Sequence, residues 1–103
     1  MEQGHKSKSI MENQKPQINT LSVGEQFKVL EVTAVLGSNI PLHYCNSEAV
    51  LMIQVGRATL TMDSIEKEIG SGMFVVIPAM MEHSLEIIDY VKAHVVIDNE
   101  RHN

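Results

Sequence analysis

Two glycine-led segments decide the fold of this chain. Residues 37–56 read GSNIPLHYCNSEAVLMIQVG, and residues 72–87 read GMFVVIPAMMEHSLEI. Both join turn-forming residues to short runs of β-branched and aliphatic side chains, a pattern typical of β-strands bounded by tight turns. The first segment carries a histidine and a cysteine two positions apart, and the second carries one histidine. The two segments therefore predict strands with chemically active side chains near their ends.

The surrounding sequence continues the pattern of short strands. Residues 57–62 alternate apolar and polar side chains, which predicts a strand with one buried face. Residues 49–55 carry little polarity and predict a central strand, whereas the charges within 65–69 predict an edge strand. Residues 73–77 predict a continuously buried strand. The other predicted strands lie at 27–36, 40–44, 83–88 and 91–97. Since helical periodicity is absent, we expect an all-β fold.

The composition fits one small domain. The chain has 103 residues, of which 44% are hydrophobic and 20% charged, and this length is too short for two independent cores. The apolar runs are far shorter than the ~20 residues of a transmembrane helix, and no signal-peptide core follows the first residues. The single cysteine, Cys45, cannot form an internal disulfide. We therefore expect a cytoplasmic protein that does not bind a membrane.

The first residues differ in composition from the rest. Residues 1–20 hold lysines, serines and a proline with few large apolar side chains, too few to offset the entropy cost of ordering. We predict a mobile tail over residues 1–20, with a first strand near Ile18, and a barrel domain over residues 21–103. Met11 is a second candidate start, so the sequence leaves translation initiation open between Met1 and Met11.

The charge pattern weighs against a nucleic-acid partner. The formal net charge is -5, from 13 acidic and 8 basic residues. Lysine and arginine do not cluster, so the basic patch that attracts phosphates is missing. The sequence has no tryptophan and only four other aromatic rings, two Phe and two Tyr, which leaves few stacking platforms for bases. We expect no nucleic acid among the partners.

The two segments resemble the two sequence motifs of the cupin family. The family motifs are written G-x(5)-H-x-H-x(3,4)-E-x(6)-G and G-x(5)-P-x-G-x(2)-H-x(3)-N. In the second segment Gly72, Pro78 and His83 match at the correct spacing, while Met80 replaces a glycine and Ile87 replaces an asparagine. The resemblance implies a double-stranded β-helix, or jelly-roll barrel, of the RmlC-like type that closes around a central pocket.

The first segment keeps part of the family's metal-binding motif. Gly37, His43 and Gly56 match, and Cys45 stands where the motif has its second histidine. Residues two apart on a strand project from the same face, where His83 from a distant strand can meet them. The resemblance therefore implies one divalent transition metal (Zn, Cu, Ni, Fe or Mn) held by His43, Cys45 and His83, with the thiolate favouring Zn or Cu. The alternative is that the three side chains line a small cavity without a metal.

The carboxylate of the motif is missing from its expected position. Glu48 follows Cys45 one residue too early and precedes Gly56 one residue too far away, whereas Ala49 has the correct spacing to both. A shift of one residue reverses the face of a strand. We therefore predict Ala49 inside and Glu48 outside, with Glu48 joining the ligands only if a bulge corrects the register.

The other candidate residues carry less information. His94 alternates with Lys92 on the predicted solvent face, and His5 and His102 lie near the ends of the chain, so we expect three surface histidines. A Cys45 nucleophile would lack a third, orienting group. The sequence contains no G-x-S-x-G, H-E-x-x-H, Walker or G-x-G-x-x-G motif. We therefore assign no catalytic residue.

Two functional interpretations stay open. The first is a small-molecule-binding protein with a degenerate metal site, which the missing carboxylate favours. The second is a metal-dependent enzyme, an oxygenase or isomerase as the family resemblance implies, with His43, Cys45 and His83 as ligands. We also expect a homodimer, because the apolar strands at 49–55 and 73–77 suit a face buried between two copies.

Overall fold

Nine β-strands make up the described part of the chain. The computed structural model covers residues 15–43 and 46–99, with residues 40–43 described by their backbone only. The strands are β1 (Gln17–Val23), β2 (Phe27–Ala34), β3 (Asn39–His43), β4 (Ala49–Val55), β5 (Arg57–Met62), β6 (Ile65–Gly70), β7 (Phe74–Ile77), β8 (His83–Ile87) and β9 (Val91–Asp98). Within these ranges, no helix is long and apolar enough to cross a membrane. The prediction of an all-β fold is confirmed.

The strands form two antiparallel sheets whose order interleaves the chain. One sheet has the order β1-β2-β9-β4-β7, and the other has the order β3-β8-β5-β6. Neighbours that are distant in sequence, such as β2 and β9, are expected of a jelly roll, in which the chain passes repeatedly from one sheet to the other. β4 lies between two strands and β6 lies at an edge, so both predicted positions are confirmed.

The core lies between the sheets and draws on both of them. Inward residues alternate along each strand with outward ones, as the period of two requires. Ile53 and Ile69 are the largest side chains that are fully buried, and they pair across the strands with the buried Ala93 and Ala58. The buried cluster comprises Ala34, Leu51, Ile53, Ala58, Leu60, Ile69, Ile77, Ile87, Val91 and Ala93. This shared core fixes the inward face of the strands that contribute residues to it.

The prediction of a continuously buried strand at 73–77 is wrong. β7 is an edge strand, paired only with β4 among the described strands. Its side chains alternate, with Ile77 buried but Phe74 and Val76 exposed to 70% and 53%. The prediction failed because both faces of this strand are apolar, whereas the core covers only one of them.

β1 begins before the boundary predicted for the domain. Gln17 to Val23 pair with β2, so the ordered sheet reaches into the segment predicted as a tail, whose residues 1–14 lie outside the described ranges. Every residue of β1 is exposed. The first strand predicted near Ile18 is therefore present, although its side chains carry no burial pattern.

The end of β9 holds the turn between β1 and β2. The Asn99 side-chain amide donates hydrogen bonds to the carbonyls of Gly24 and Glu25, the second at 2.7 Å. The Asn99 backbone N–H also donates to the carbonyl of Gln26 at 3.0 Å. Asn99 is buried, and these hydrogen bonds offset the free-energy cost of removing its side-chain amide from water. Asn99, which follows the last strand, therefore holds the turn that joins β1 to β2.

Arg57 links the strand hairpin of the smaller sheet to the loop before β9. Its Nε donates to Asp89 at 3.0 Å and its Nη1 to Glu68 at 3.1 Å. The hydrogen bond and the charge of Asp89, followed by those of Glu68, raise the pKa of Arg57. These groups are exposed, so water screens the pairs and their contribution to stability is small.

Candidate functional site

β3 and β8 bring together two of the predicted ligand positions. In their ladder the Cα of Ile40 pairs with that of Leu85, and the Cα of His43 pairs with that of His83. Three steps along β3 therefore match two steps along β8, which is the geometry of a β-bulge. Without the bulge, positions 40 and 43 would lie on opposite faces, because their separation is odd. The bulge places position 43 in the same inward row as His83.

His83 is a buried imidazole with a defined orientation. The side chain is 6% exposed, and its Nδ1 lies 3.0 Å from the carbonyl oxygen of Met81. Because a carbonyl only accepts, Nδ1 is the donor in this hydrogen bond. A hydrogen bond from one ring nitrogen to the backbone is the usual way in which proteins orient a histidine whose other nitrogen binds a metal or a ligand.

The loop before His83 departs from the family motif without losing its shape. The three motif glycines, Gly37, Gly56 and Gly72, have φ angles of +89°, +94° and +84°. Met80 occupies the remaining glycine position and has a φ of +64°. The backbone therefore keeps the left-handed conformation that glycine adopts most easily, and Met80 bears its steric cost.

An open depression lies against this loop. It has a volume of about 610 Å³, and residues 79–82 form one wall, with Thr61, Asp63 and Ser64 forming the other. Met80 is 58% exposed there. Since Met62 pairs with His83, the depression lies at the end of the barrel where His83 is placed.

The carboxylate position of the motif is occupied by a small buried side chain. Ala49 is 6% exposed and pairs with Ile77 and Ile97, which lie on the strands to either side. Glu48 is exposed and borders a separate depression of about 440 Å³ with Ser47. Ala49 therefore lies inside and Glu48 outside, as the spacing predicts.

The predicted metal site extends beyond the residues that the structure describes. Cys45 lies outside the described ranges, and His43 is described by its backbone only. Among the described side chains, no three histidines, cysteines or carboxylates form a group that could hold a metal ion. The assignment of His43, Cys45 and His83 as ligands stays a prediction, and Glu48 is exposed.

Three inward side chains near the end that contains His83 are only half-buried. Along β5, Ala58 and Leu60 are fully enclosed, whereas Met62 is half-buried. Along β9, Ala93 is buried and Val95 is half-buried. Leu85 on β8 is half-buried as well, whereas His83, Ala49 and Ile77 at the same end are buried. The core is therefore incompletely enclosed at Met62, Leu85 and Val95, although enclosure is not lost along every strand.

The remaining histidines lie away from this end or outside the described residues. His94 is half-buried on the outward face of the larger sheet, with its Nε2 3.6 Å from Glu31 Oε2. The prediction of a histidine on the side away from the core is confirmed for His94. His5 and His102 lie outside the described ranges.

Comparison with solved structures identifies the fold. An RmlC-like cupin from Methanocaldococcus jannaschii, with a double-stranded β-helix fold, matches with a TM-score of 0.73 and 25% identity over 82% of this chain and 81% of that one. An RmlC-like cupin from Desulfovibrio desulfuricans matches with a TM-score of 0.75 and 21% identity over 84% of each chain. The DMSP lyase DddQ from Ruegeria pomeroyi matches with a TM-score of 0.77 and 19% identity over 85% of this chain but 49% of that one.

Sequence comparison alone does not reach these relatives. No family model matches the chain, and no curated protein matches it. Backbone geometry is retained at identities where side chains have largely changed, so the likeness concerns the fold and not the chemistry of the site. The order of the strands, the left-handed turns at the motif positions and these neighbours together show that the chain has the double-stranded β-helix fold of the cupins.

Proposed function

We propose that this protein binds a small, mostly apolar molecule between its two sheets, at the end that contains His83, and that the metal site of the cupin motifs is degenerate. The observation that carries the proposal is the partial exposure of three inward side chains near this end. Met62, Leu85 and Val95 are half-buried there, although they belong to the inward rows. Half-buried inward side chains indicate room that a ligand can fill.

The chemistry of the lining supports a ligand with an apolar body. The accessible inward side chains are aliphatic or thioether groups, and His83 supplies a polar group beside them. Ligand pockets commonly combine such walls with a few polar groups that fix the orientation of the ligand. The hydrogen bond from Nδ1 of His83 to the carbonyl of Met81 fixes the orientation of the ring beside these walls.

The degeneracy of the metal site rests on Ala49. A methyl group occupies the inward position that the motif gives to a carboxylate, and Glu48 lies outside. Loss of an anionic ligand weakens the binding of a divalent cation, since carboxylates supply much of the attraction in oxygen-containing sites. A ligand that needs no metal is the simplest occupant of such a barrel.

The environment-sensitive dye 8-anilinonaphthalene-1-sulfonate tests the binding space directly. We expect saturable binding of about one dye per chain with enhanced fluorescence. A Val95→Phe variant fills the half-buried end of the barrel and should remove this binding. A Val76→Glu variant changes an exposed outward side chain and should leave it intact, so it controls for dye that binds on the outer surface.

Folding of both variants is checked by circular dichroism and thermal melting. Dye binding that survives in Val95→Phe but disappears in Val76→Glu would contradict the proposal, as would no dye binding to the wild type. Once the dye site is located, displacement of the dye provides the screen for natural ligands.

A metal-dependent enzyme is the second candidate function. The pairing of His43 with His83 and the orientation of the His83 ring favour it. In this proposal His43, His83 and the thiolate of Cys45, reduced as expected in the cytoplasm, hold one divalent ion. Three protein ligands leave a position at which the ion supplies Lewis-acid or oxygen-binding chemistry to a substrate. The similar fold of the DMSP lyase is consistent with an enzyme but does not indicate its reaction.

Metal analysis separates the second candidate from the first. The protein is prepared without a nickel column and analysed by plasma mass spectrometry, then titrated with cobalt. The enzyme candidate requires near-stoichiometric metal that is lost in a His43→Ala/His83→Ala double variant and retained in His94→Ala. It also requires a thiolate-to-cobalt charge-transfer band that Cys45→Ser removes. Wild-type protein without metal and without this band would eliminate the enzyme candidate.

A further inference from the structure

A lysine stands at an inward position of the larger sheet. The ladder pairings place Lys28 opposite Ile97, Ile97 opposite Ala49, and Ala49 opposite Ile77, so these residues form one row across β2, β9, β4 and β7. Ala49 and Ile77 are buried, which shows that the row belongs to the inward face of the sheet. Lys28 therefore lies on the side of β2 that faces the core, and it is half-buried there.

The inward rows provide no acid to balance Lys28. In the described strands, the other inward positions of the larger sheet are all apolar: Leu30, Val32, Ala34, Leu51, Ile53, Val75, Val91, Ala93 and Val95. The inward positions of β5, β6 and β8 include a second lysine, Lys67, which is exposed on the edge strand β6, but no carboxylate. Among the side chains that the structure describes, Lys28 forms no ion pair.

The row of Lys28 lies at the same end of the barrel as His83. Residues 78–82 are the only connection between Ile77, at the end of β7 in the larger sheet, and His83, at the start of β8 in the smaller sheet. A loop this short joins strand ends that are close in space. Ala49 begins β4 soon after His43 ends β3, so a second short connection spans this end. Lys28 therefore shares the end at which the ligand is proposed to bind.

Lys28 also adjoins one of the partly exposed inward side chains. Val95 lies two positions before Ile97 on β9, which makes it the diagonal neighbour of Lys28 across the ladder. Diagonal neighbours on one face of an antiparallel pair are about 7–8 Å apart, within the reach of a long side chain. A lysine at such a position packs its methylene groups on apolar neighbours and keeps its ammonium group in water. We therefore expect this ammonium group at the margin of the apolar space.

A ligand in this space would remove water from the ammonium group. Burial of a charge is costly unless an opposite charge accompanies it. A neutral ligand brings no such charge, whereas an anionic group forms a charge-assisted hydrogen bond with the ammonium. The chain as a whole has a formal net charge of -5, so its overall field does not attract anions. A preference for an anion would therefore have to come from Lys28 itself.

We propose that the ligand of this barrel is an apolar molecule with an anionic head group, such as a medium-chain carboxylic acid, and that the ammonium group of Lys28 pairs with that head group. The inference rests on the proposed binding of an apolar molecule at this end of the barrel, and it adds the charge of that molecule. Lys28 then determines specificity, because it selects acids over neutral molecules that have the same apolar body.

Two dyes with the same ring system test this preference. The dye 8-anilinonaphthalene-1-sulfonate is anionic, whereas N-phenyl-1-naphthylamine has the same rings without the sulfonate. We expect Lys28→Met to weaken the binding of the anionic dye about tenfold and to leave the dissociation constant of the neutral dye unchanged. Lys28→Arg should retain the affinity for the anionic dye. The matched control is Lys92→Met, which removes a half-buried lysine from an outward position of β9 and should affect neither dye.

Displacement of the neutral dye extends the test to the proposed class of ligand. Octanoate should displace it from the wild type at about tenfold lower concentration than from Lys28→Met, whereas octan-1-ol should not distinguish the two proteins. Circular dichroism verifies that each variant is folded.

The outcomes separate this inference from the function on which it rests. Equal affinity of the wild type and Lys28→Met for the anionic dye, or parallel losses for both dyes, would overturn the role of Lys28 while leaving the apolar binding space in place. Binding of neither dye to the wild type would contradict the binding space itself, and this inference with it.

Discussion

His43 lies directly opposite His83 across the ladder of β3 and β8, and an extra residue in β3 is what brings it there. Opposed positions in an antiparallel pair have Cβ atoms about 4.5–5.5 Å apart. The spacing of residues in the two motifs does not by itself align two histidines that are so distant in the chain. The bulge in β3 provides this alignment. Ala49 occupies the place of the carboxylate at the start of β4. The backbone therefore brings the two motif histidine positions together, while alanine stands at the carboxylate position of the motif.

Restoring the carboxylate should restore metal affinity. We expect Ala49→Glu to melt at a lower temperature than the wild type without metal, because a charged side chain enters a buried position. Zinc should then raise its melting temperature more than it raises that of the wild type, since a bound ligand stabilises the folded state in proportion to its affinity. The measurement is thermal melting with and without zinc.

Glu48→Gln is the control for this substitution. It removes the neighbouring carboxylate, which is exposed, and should leave the response to zinc unchanged. If zinc stabilises Ala49→Glu no more than the wild type, position 49 does not face a metal site. If Glu48→Gln reduces the response, Glu48 takes part in binding and the assigned register is wrong for the bound state.

Met80 should be replaceable by glycine with a gain in stability. Its φ of +64° costs a non-glycine residue about 1–2 kcal/mol, whereas the greater freedom of glycine in the unfolded chain costs about 0.5–1 kcal/mol. We therefore expect Met80→Gly to raise the free energy of unfolding by up to about 1 kcal/mol. The neighbouring Met81 does not have a positive φ, so Met81→Gly should destabilise the protein. Urea unfolding compares the two variants, and equal losses would show that the conformation of Met80 is not strained.

The sequence predicted strands well where one face is buried, because burial then determines the type of side chain at alternate positions. The bounds of β4 and β5 agree with the predicted ranges. The reason is that turn residues flank these strands or that their inward and outward side chains differ in polarity. A first strand was predicted near Ile18, but the bounds of β1 and the exposure of Phe74 could not be predicted in this way. β1 has no buried side chain, and β7 presents apolar groups to both faces.

The candidate site was predictable only in its residue types and spacing. Ala49 and Glu48 could be assigned to faces because a strand has a period of two. The bulge in β3, the bond from His83 to the carbonyl of Met81 and the positive φ of Met80 depend on backbone geometry that single residues do not encode. Asn99 was missed for a similar reason, because its partners are carbonyl groups of a turn that lies 74 and 75 residues away in sequence.

Alanine substitution should reduce the free energy of unfolding by very different amounts at two of the motif glycines. A Cβ at Gly56 would overlap the backbone carbonyl oxygen of Tyr90, and the φ there is +94°. At Gly72 the φ is +84° but no atom lies within 4 Å of the added Cβ. Gly72→Ala should therefore cost only the strain of the left-handed conformation, about 1–2 kcal/mol. Gly56→Ala should cost clearly more, because the start of β9 must move as well.

The two alanine variants are compared by chemical denaturation, with protein yield as a second readout for Gly56→Ala. Equal losses of unfolding free energy would contradict the close approach of Tyr90 to Gly56. Because the two positions share the sign of φ, the difference between the variants isolates the contact with the backbone from the conformational strain.

Asn99 should contribute strongly to stability despite its distance from the core. Asn99→Ala leaves the carbonyls of Gly24 and Glu25 without their side-chain donor, so we expect a loss of about 1–3 kcal/mol in the free energy of unfolding. Asn39→Ala is the control, since Asn39 is exposed. Similar losses for Asn39→Ala and Asn99→Ala in urea would show that the turn is not held by the amide.

The pH dependence of Asn99→Asp provides a sharper test of the same contact. A carboxylate at position 99 would face two carbonyl oxygens, which raises its pKa in the folded state above that in the unfolded chain. The folded state then binds the proton more tightly, so the variant should gain stability relative to the wild type as the pH falls through the folded-state pKa. Only the protonated acid can donate to a carbonyl, as the amide does. A difference in stability between Asn99→Asp and the wild type that does not change with pH would mean that the side chain has left the turn.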